Sequence, residues 1–256
     1  MLKWFGPVAM AGLIIGSCSQ KSDGELLTTT PAAPAAEQAA PAGWVSAAPL
    51  SATAPAPSIE GIPAGDYKLD PPHATFMFKV SHLGFSNFTG WFTTFAADLK
   101  LDPANPSAAS LVATVDPASL TVNAPPDGFQ EELRGENFVD AKQFPQITYR
   151  STAIKMTGPN TADVIGDLTL HGVTKPVTLS MTYNGGYVGH IYEPRARIGF
   201  SVHGTFKRSD FGIGGGVPKP GESMGVSDDV NVVIEAEFLG PEMKDPPKPP
   251  ATPPAN

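Results

Sequence analysis

From Asp228 to Phe238 every second side chain is apolar. Val230, Val232, Ile234, Ala236 and Phe238 fall on one face, and Asp229, Asn231, Glu235 and Glu237 fall on the other. A period of two belongs to a β-strand, whose successive side chains point to opposite faces. The same period recurs along the chain. Thr174–Tyr183 sets Val177, Leu179, Met181 and Tyr183 against Thr178, Ser180 and Thr182, and Arg195–Gly204 turns Ala196, Ile198, Phe200 and Val202 to one side. Asp66–Gly90 reads as a long strand and a glycine-marked turn, with Phe76, Phe78 and Val80 opposed to Met77, Lys79 and Ser81. Shorter stretches at Ala96–Asp102, Ser110–Asp116, Gln146–Lys155 and Ala162–His171 behave alike.

An apolar strand face must be covered, so this many strands require a barrel or a sandwich. Runs of about ten residues favour a tall barrel. One stretch is helical, Asp127–Gly135, with Asp127 as expected N-cap and acids in the first turn. A second short turn is expected over Phe138–Gln143. Both fall between strands at one place, where they could lie across a barrel mouth as a lid. The expected fold is therefore all-β: an antiparallel barrel of about eight strands with a short helical insert, spanning residues 65–240.

The 28 prolines are concentrated outside that span. Residues 1–17 carry Lys3 and then an apolar run too short for a spanning helix, which needs about 20 residues. This is the shape of a signal peptide. It ends in Ile15-Gly16-Ser17-Cys18, which resembles a bacterial lipobox, so Cys18, the one cysteine, is the expected lipidation site. Two or three acyl chains on one residue would anchor the protein durably, since each buried CH₂ contributes about 0.8 kcal/mol. By resemblance to lipoprotein sorting, Ser19 after the cysteine favours the outer membrane, with the domain facing the periplasm of a bacterial envelope. Residues 18–64 are Ala/Pro-rich and read as a disordered tether with a reach of about 35–40 Å. Residues 241–256 read as a Pro-rich disordered tail. A formal charge of −8 argues against nucleic acid as a partner, because phosphate binding needs clustered Lys and Arg.

The five histidines, His73, His82, His171, His190 and His203, show no H-x₃-H pair, and no second cysteine could join them. Ser209-Asp210 and Ser223 lie in no nucleophile-elbow pattern, and Gly214–Gly216 lacks the Lys-Ser of a phosphate loop. The residues point to no enzyme, no cofactor and no metal. An isomerase on a hydrophobic substrate would need ionisable groups inside the barrel, and Asp98 and Glu235 are the residues to check for that.

Asp70-Pro71-Pro72-His73-Ala74, then Phe76-x-Phe78-x-Val80-x-His82-Leu83-Gly84-Phe85 and Gly90-x-Phe92, closely resemble the opening of the YceI-like family. The resemblance continues through Leu133–Asp140, Phe144–Thr152, Gly166–Val177 and Lys207–Ile213. It departs at Glu131-Glu132, where relatives commonly carry an acidic-His pair, and at the longer glycine run Gly212–Gly216. The resemblance implies a lipocalin-like periplasmic barrel that binds polyisoprenoid lipids, a quinone or a polyprenyl phosphate, in an apolar tunnel. The tail would then lie along Phe76, Phe78, Val80, Phe85, Phe88, Val177, Leu179, Met181, Ile198 and Phe200. A head group would sit at a mouth near Arg134, His171 or Arg208. The oligomeric state stays open, a homodimer included. A filled core uses the same residue types, so a structural or stress-related envelope lipoprotein is the alternative.

Overall fold

The computed structural model describes residues 57–222 and 224–243. The expected signal peptide and lipidation site at Cys18, most of the expected tether and the expected tail beyond 243 lie outside them. Ten hydrogen-bonded stretches form one antiparallel sheet: β1 (Gly65–His82), β2 (Ser86–Phe92), β3 (Phe95–Leu101), β4 (Ser110–Val115), β5 (Leu120–Val122), β6 (Ile147–Met156), β7 (Thr161–Leu170), β8 (Val173–Tyr187), β9 (Arg195–Lys207) and β10 (Asp229–Glu242). Two pairs are single strands with a break. β2 and β3 run along the same edge of β1, with Phe92 opposite Phe76 and Asp98 opposite Lys68. β5 and β4 continue alongside them. The break in the latter is a 3₁₀ turn at Pro117–Ser119, where the Asp116 carboxylate accepts from the Ala118 N–H. Eight long strands result, and β1 pairs with β10 to close the barrel. Closure removes the open edges that a sheet of this size would otherwise present.

β1 is bulged. Leu69 pairs with Phe238 and Ala74 with Ala236, so Asp70–His73 pass a single residue of β10, Glu237. Pro71 and Pro72 have no N–H to give, and they stand where the ladder is interrupted. The bulge also resets the phase: Leu69 and Phe76, an odd number of residues apart, both face the interior.

The strands define two ends. At one lie the β1–β2 turn, segment 123–146, the β7–β8 turn and segment 208–228. This end is stoppered. Leu133, Phe211 and Ile213 are buried there, with Phe138 packed against them. The helix α1 (Phe129–Arg134) sits here, shorter than expected, and Asp127 is not its N-cap. Gly128 is, at φ +78°, and no side chain caps the helix. A left-handed cap position favours glycine over aspartate. The β7–β8 turn is His171-Gly172, with φ values of +52° and +75°, the pair of left-handed residues that a tight hairpin needs.

At the other end lie segment 57–64 and the β3–β4, β6–β7 and β8–β9 connections. The tether as read from sequence ends at 64, but the packed chain begins earlier. Ile62 is 7% exposed and joins a cluster with Tyr67, Tyr183, Ile198 and Phe238. The Tyr67 hydroxyl donates to Pro63 O at 2.6 Å, and burial pushes its pKa up to about 12. β10 likewise runs to Glu242, two residues past the expected end of the domain.

Gly166 on β7 is fixed by crowding. A Cβ there would stand 2.5 Å from Arg150 O and 2.6 Å from the Tyr149 ring. That ring is held in turn, because its hydroxyl reaches the carbonyls of Val164 (2.8 Å) and Val177 (3.1 Å). Gly166→Ala should therefore cost about 1–3 kcal/mol in a denaturant melt, the usual range for overpacking. An unchanged midpoint would show that β6 and β7 can part without loss.

Candidate functional site

The barrel is not filled. A cavity of about 210 Å³ runs along its axis, lined from every strand except β2 and β5. Its size exceeds the ~150 Å³ engineered cavity that stays dry and takes up benzene. Small inward residues make the space: Ala97, Ala113 and Ala236 stand where larger side chains would close it. Among the described residues no Asp, Glu, Lys, Arg or His lines it, and Asn160 is the one carboxamide. The lining includes loop residues Pro106, Ala109, Pro159 and Asn160, with Ile59 of the segment before β1. All belong to the end opposite α1, so the cavity opens there.

Of the ten residues expected along a lipid tail, five line this cavity: Phe76, Val177, Leu179, Met181 and Phe200. The others lie elsewhere. Ile198 is fully buried in the cluster beside the mouth. Val80 packs on Val230 and Val232, of which Val232 alone reaches the cavity, and Phe78 packs tilted against Phe92. Phe88 meets Phe129 edge to face under the helix. Phe85 is 81% exposed, directly after the Leu83-Gly84 turn, and lines nothing. The lining that sequence reasoning missed includes Leu111, Ile147, Ile154 and Val164. Their signal was present, since barrel closure turns the apolar face of every strand inward.

The three expected head-group contacts lie at the stoppered end and hold backbone there. Arg134 donates from Nε and Nη2 to Leu120 O at 3.0 and 2.7 Å. Arg208, 5% exposed, donates to Ser227 O, Gly215 O and Val226 O and so pins segment 213–227. Burial pushes its pKa down, partly opposed by Asp228. His171 Nδ1 lies 3.2 Å from Phe211 O, and its ring meets Phe144 edge-on. Asp98 and Glu235 also face outward, Asp98 to Lys68 at 3.3 Å and Glu235 accepting from the Ser201 hydroxyl, so neither stands in the cavity.

One polar cluster arises that sequence spacing did not indicate. Asp70, His73 and Glu237 bring ligand-type atoms within 4.8 Å of one another on the outer wall. A cation already stands at their centre. Arg197 Nη1 lies 2.7 Å from Asp70, 2.5 Å from Glu237 and 3.5 Å from His73 Nδ1, while Nη2 lies 2.7 Å from Glu193. The Tyr187 hydroxyl joins Glu193 as well. Hydrogen bonds from Arg197 and then Tyr187 hold Glu193 at about 2. At Asp70, desolvation raises the pKa, but the Arg197 and His73 hydrogen bonds outweigh it and the net direction is down.

A family model described as a YceI-like domain matches residues 67–238. A UPF0312 protein of Pseudomonas putida (strain W619) is 42% identical over 155 residues, 59% of this chain and 78% of the relative. The crystal structure of Burkholderia cenocepacia BcnA is 26% identical, with a TM-score of 0.56 over 66% of this chain and 98% of that one. A domain from Saccharophagus degradans, described as polyisoprenoid binding and implicated in plant cell wall breakdown, shares the fold at 16% identity, with a TM-score of 0.52 over 68% of this chain and 98% of that one.

The Arg197 cluster carries a pH dependence of definite sign. Glu193 has a depressed folded pKa, so its contribution to stability is present above its ordinary value of 4.5 and is lost as pH falls towards about 2. Arg197→Met should lower stability at neutral pH and flatten the stability-versus-pH curve within that window. Parallel acid curves for the two proteins, followed by chemical denaturation, would contradict this account.

Proposed function

The chain belongs to the YceI-like domain family, and from that premise we propose that its barrel binds the tail of an amphiphilic polyisoprenoid lipid, a quinone or a polyprenyl phosphate, and carries or stores it. The observation that carries this reading is the cavity: apolar on all sides, closed at the α1 end and open at the other. The family and the fold point the same way, to a binding protein rather than an enzyme. A tail along Phe76, Leu179, Met181 and Phe200 gains about 0.8 kcal/mol per buried CH₂ relative to water. A lipid drawn from a bilayer already has that gain, so net transfer is near neutral. This suits reversible uptake. The same proposal includes a lipid anchor at Cys18 and a tether that holds the barrel on the periplasmic face of the envelope, with the outer membrane favoured. A structural envelope lipoprotein is the competing reading, and the open cavity counts against it.

Mass spectrometry of a non-polar extract of the purified full chain tests the proposal. A prenyl lipid near one per chain is expected. Ala113→Phe adds a ring to the cavity wall and should lower the bound lipid severalfold while the unfolding transition stays cooperative. Chains that hold no lipid and take none up from prenyl-lipid vesicles would favour the structural reading.

A further inference from the structure

We infer that the lipid taken up is an uncharged one, with a quinone ring or a prenyl alcohol as its head rather than a phosphate, and with Asn160 as its polar contact at the rim. This rests on the lipid-binding reading and narrows it. The ground is where the cations are. The open end is built from four segments, 57–64, 102–109, 157–160 and 188–194. Their ionisable side chains are Glu60, Asp102, His190, Tyr192 and Glu193, with no Lys or Arg among them. Among the described residues, the cations of the adjoining strands are engaged on the outer wall or with backbone. Lys155 alternates with the cavity-lining Ile154 and Met156 and pairs across the sheet with Asp163. Lys100 lies 2.9 Å from Asp66, and Arg195 donates to Gly240 O. The arginines that could have gripped a phosphate, Arg134 and Arg208, are behind the stopper and committed to carbonyls.

A phosphate at this mouth would face acids, and drawn inward it would meet a wall with no charge to pair it. An ionised group moved into such a setting without a partner is strongly penalised. A quinone carbonyl or an alcohol loses far less and needs one or two hydrogen bonds. Asn160 can supply them, since a carboxamide both donates and accepts. It stands where the β6–β7 connection meets the cavity, its Nδ2 only loosely engaged with Tyr183 O at 3.4 Å.

The test is a competition on the purified full chain between a prenylated quinone and a polyprenyl phosphate of equal tail length, read by native mass spectrometry. The quinone should be preferred by about tenfold or more, as expected when a charge must be buried unpaired. Asn160→Leu should weaken quinone binding while a prenyl hydrocarbon of the same length binds unchanged. Equal or tighter binding of the phosphate would overturn this inference and leave the lipid-binding reading intact. Binding of neither lipid would overturn both.

Discussion

The pairing of β1 with β10 is the contact on which the rest depends, because it turns a sheet with two edges into a vessel with none. It is also an imperfect seam. At Asp70–His73 the ladder lapses for the length of the bulge, opposite Glu237. Arg197, reaching from β9, lies across that gap and holds Asp70 and Glu237 together on the outer wall. The charge cluster is thus best understood as a clasp over missing backbone hydrogen bonds. With a guanidinium at its centre, it has no place left for a metal ion. Partly buried, multiply bonded ion groups of this kind contribute more than isolated surface pairs.

The architecture was legible because a period of two survives strand by strand. Val230 to Phe238 and Val177 to Tyr183 face inward as their alternation requires. What escaped was of another kind. The bulge hides a change of phase, and nothing local in Asp70–His73 says by how many residues it shifts. Phe85 carries an apolar side chain at a place decided by turn geometry rather than by alternation. Glu193 and Arg197 are four residues apart, but Glu237 joins them only through strand pairing and Asp70 only through closure. Arg134, His171 and Arg208 looked available because sequence does not reveal which carbonyls lie nearby. The cavity itself depends on Ala97, Ala113 and Ala236, and an inward alanine reads the same in a filled core as in a hollow one.

The two ends of the barrel divide the work. The stoppered end keeps its cations and its aromatic plug for rigidity: Arg208 fixes a long connection, and Phe211 and Ile213 seal the floor. The open end has prolines and alanines at Pro106, Ala109 and Pro159. Arginine is spent where the interior is closed and is absent from the loops where it is open.

Segment 57–64 is both the start of the barrel and part of its rim, and it is held unevenly. Pro63 is fastened by a 2.6 Å hydrogen bond from Tyr67 and Ile62 by burial, whereas Ser58 is tied to the barrel wall by a 3.4 Å contact from Tyr183 and to its own segment by a 3.1 Å hydrogen bond from the Glu60 N–H. Ile59 lies between these points, against the cavity. The segment is therefore tied more firmly to the wall at Pro63 than at Ser58. A molecule passing the rim beside Ile59 would meet the more weakly tied half first. On the lipid-binding proposal, the speed of exchange would depend on the rim at Ser58 and Ile59 and the tightness of holding on the walls beneath, so that the two could vary independently.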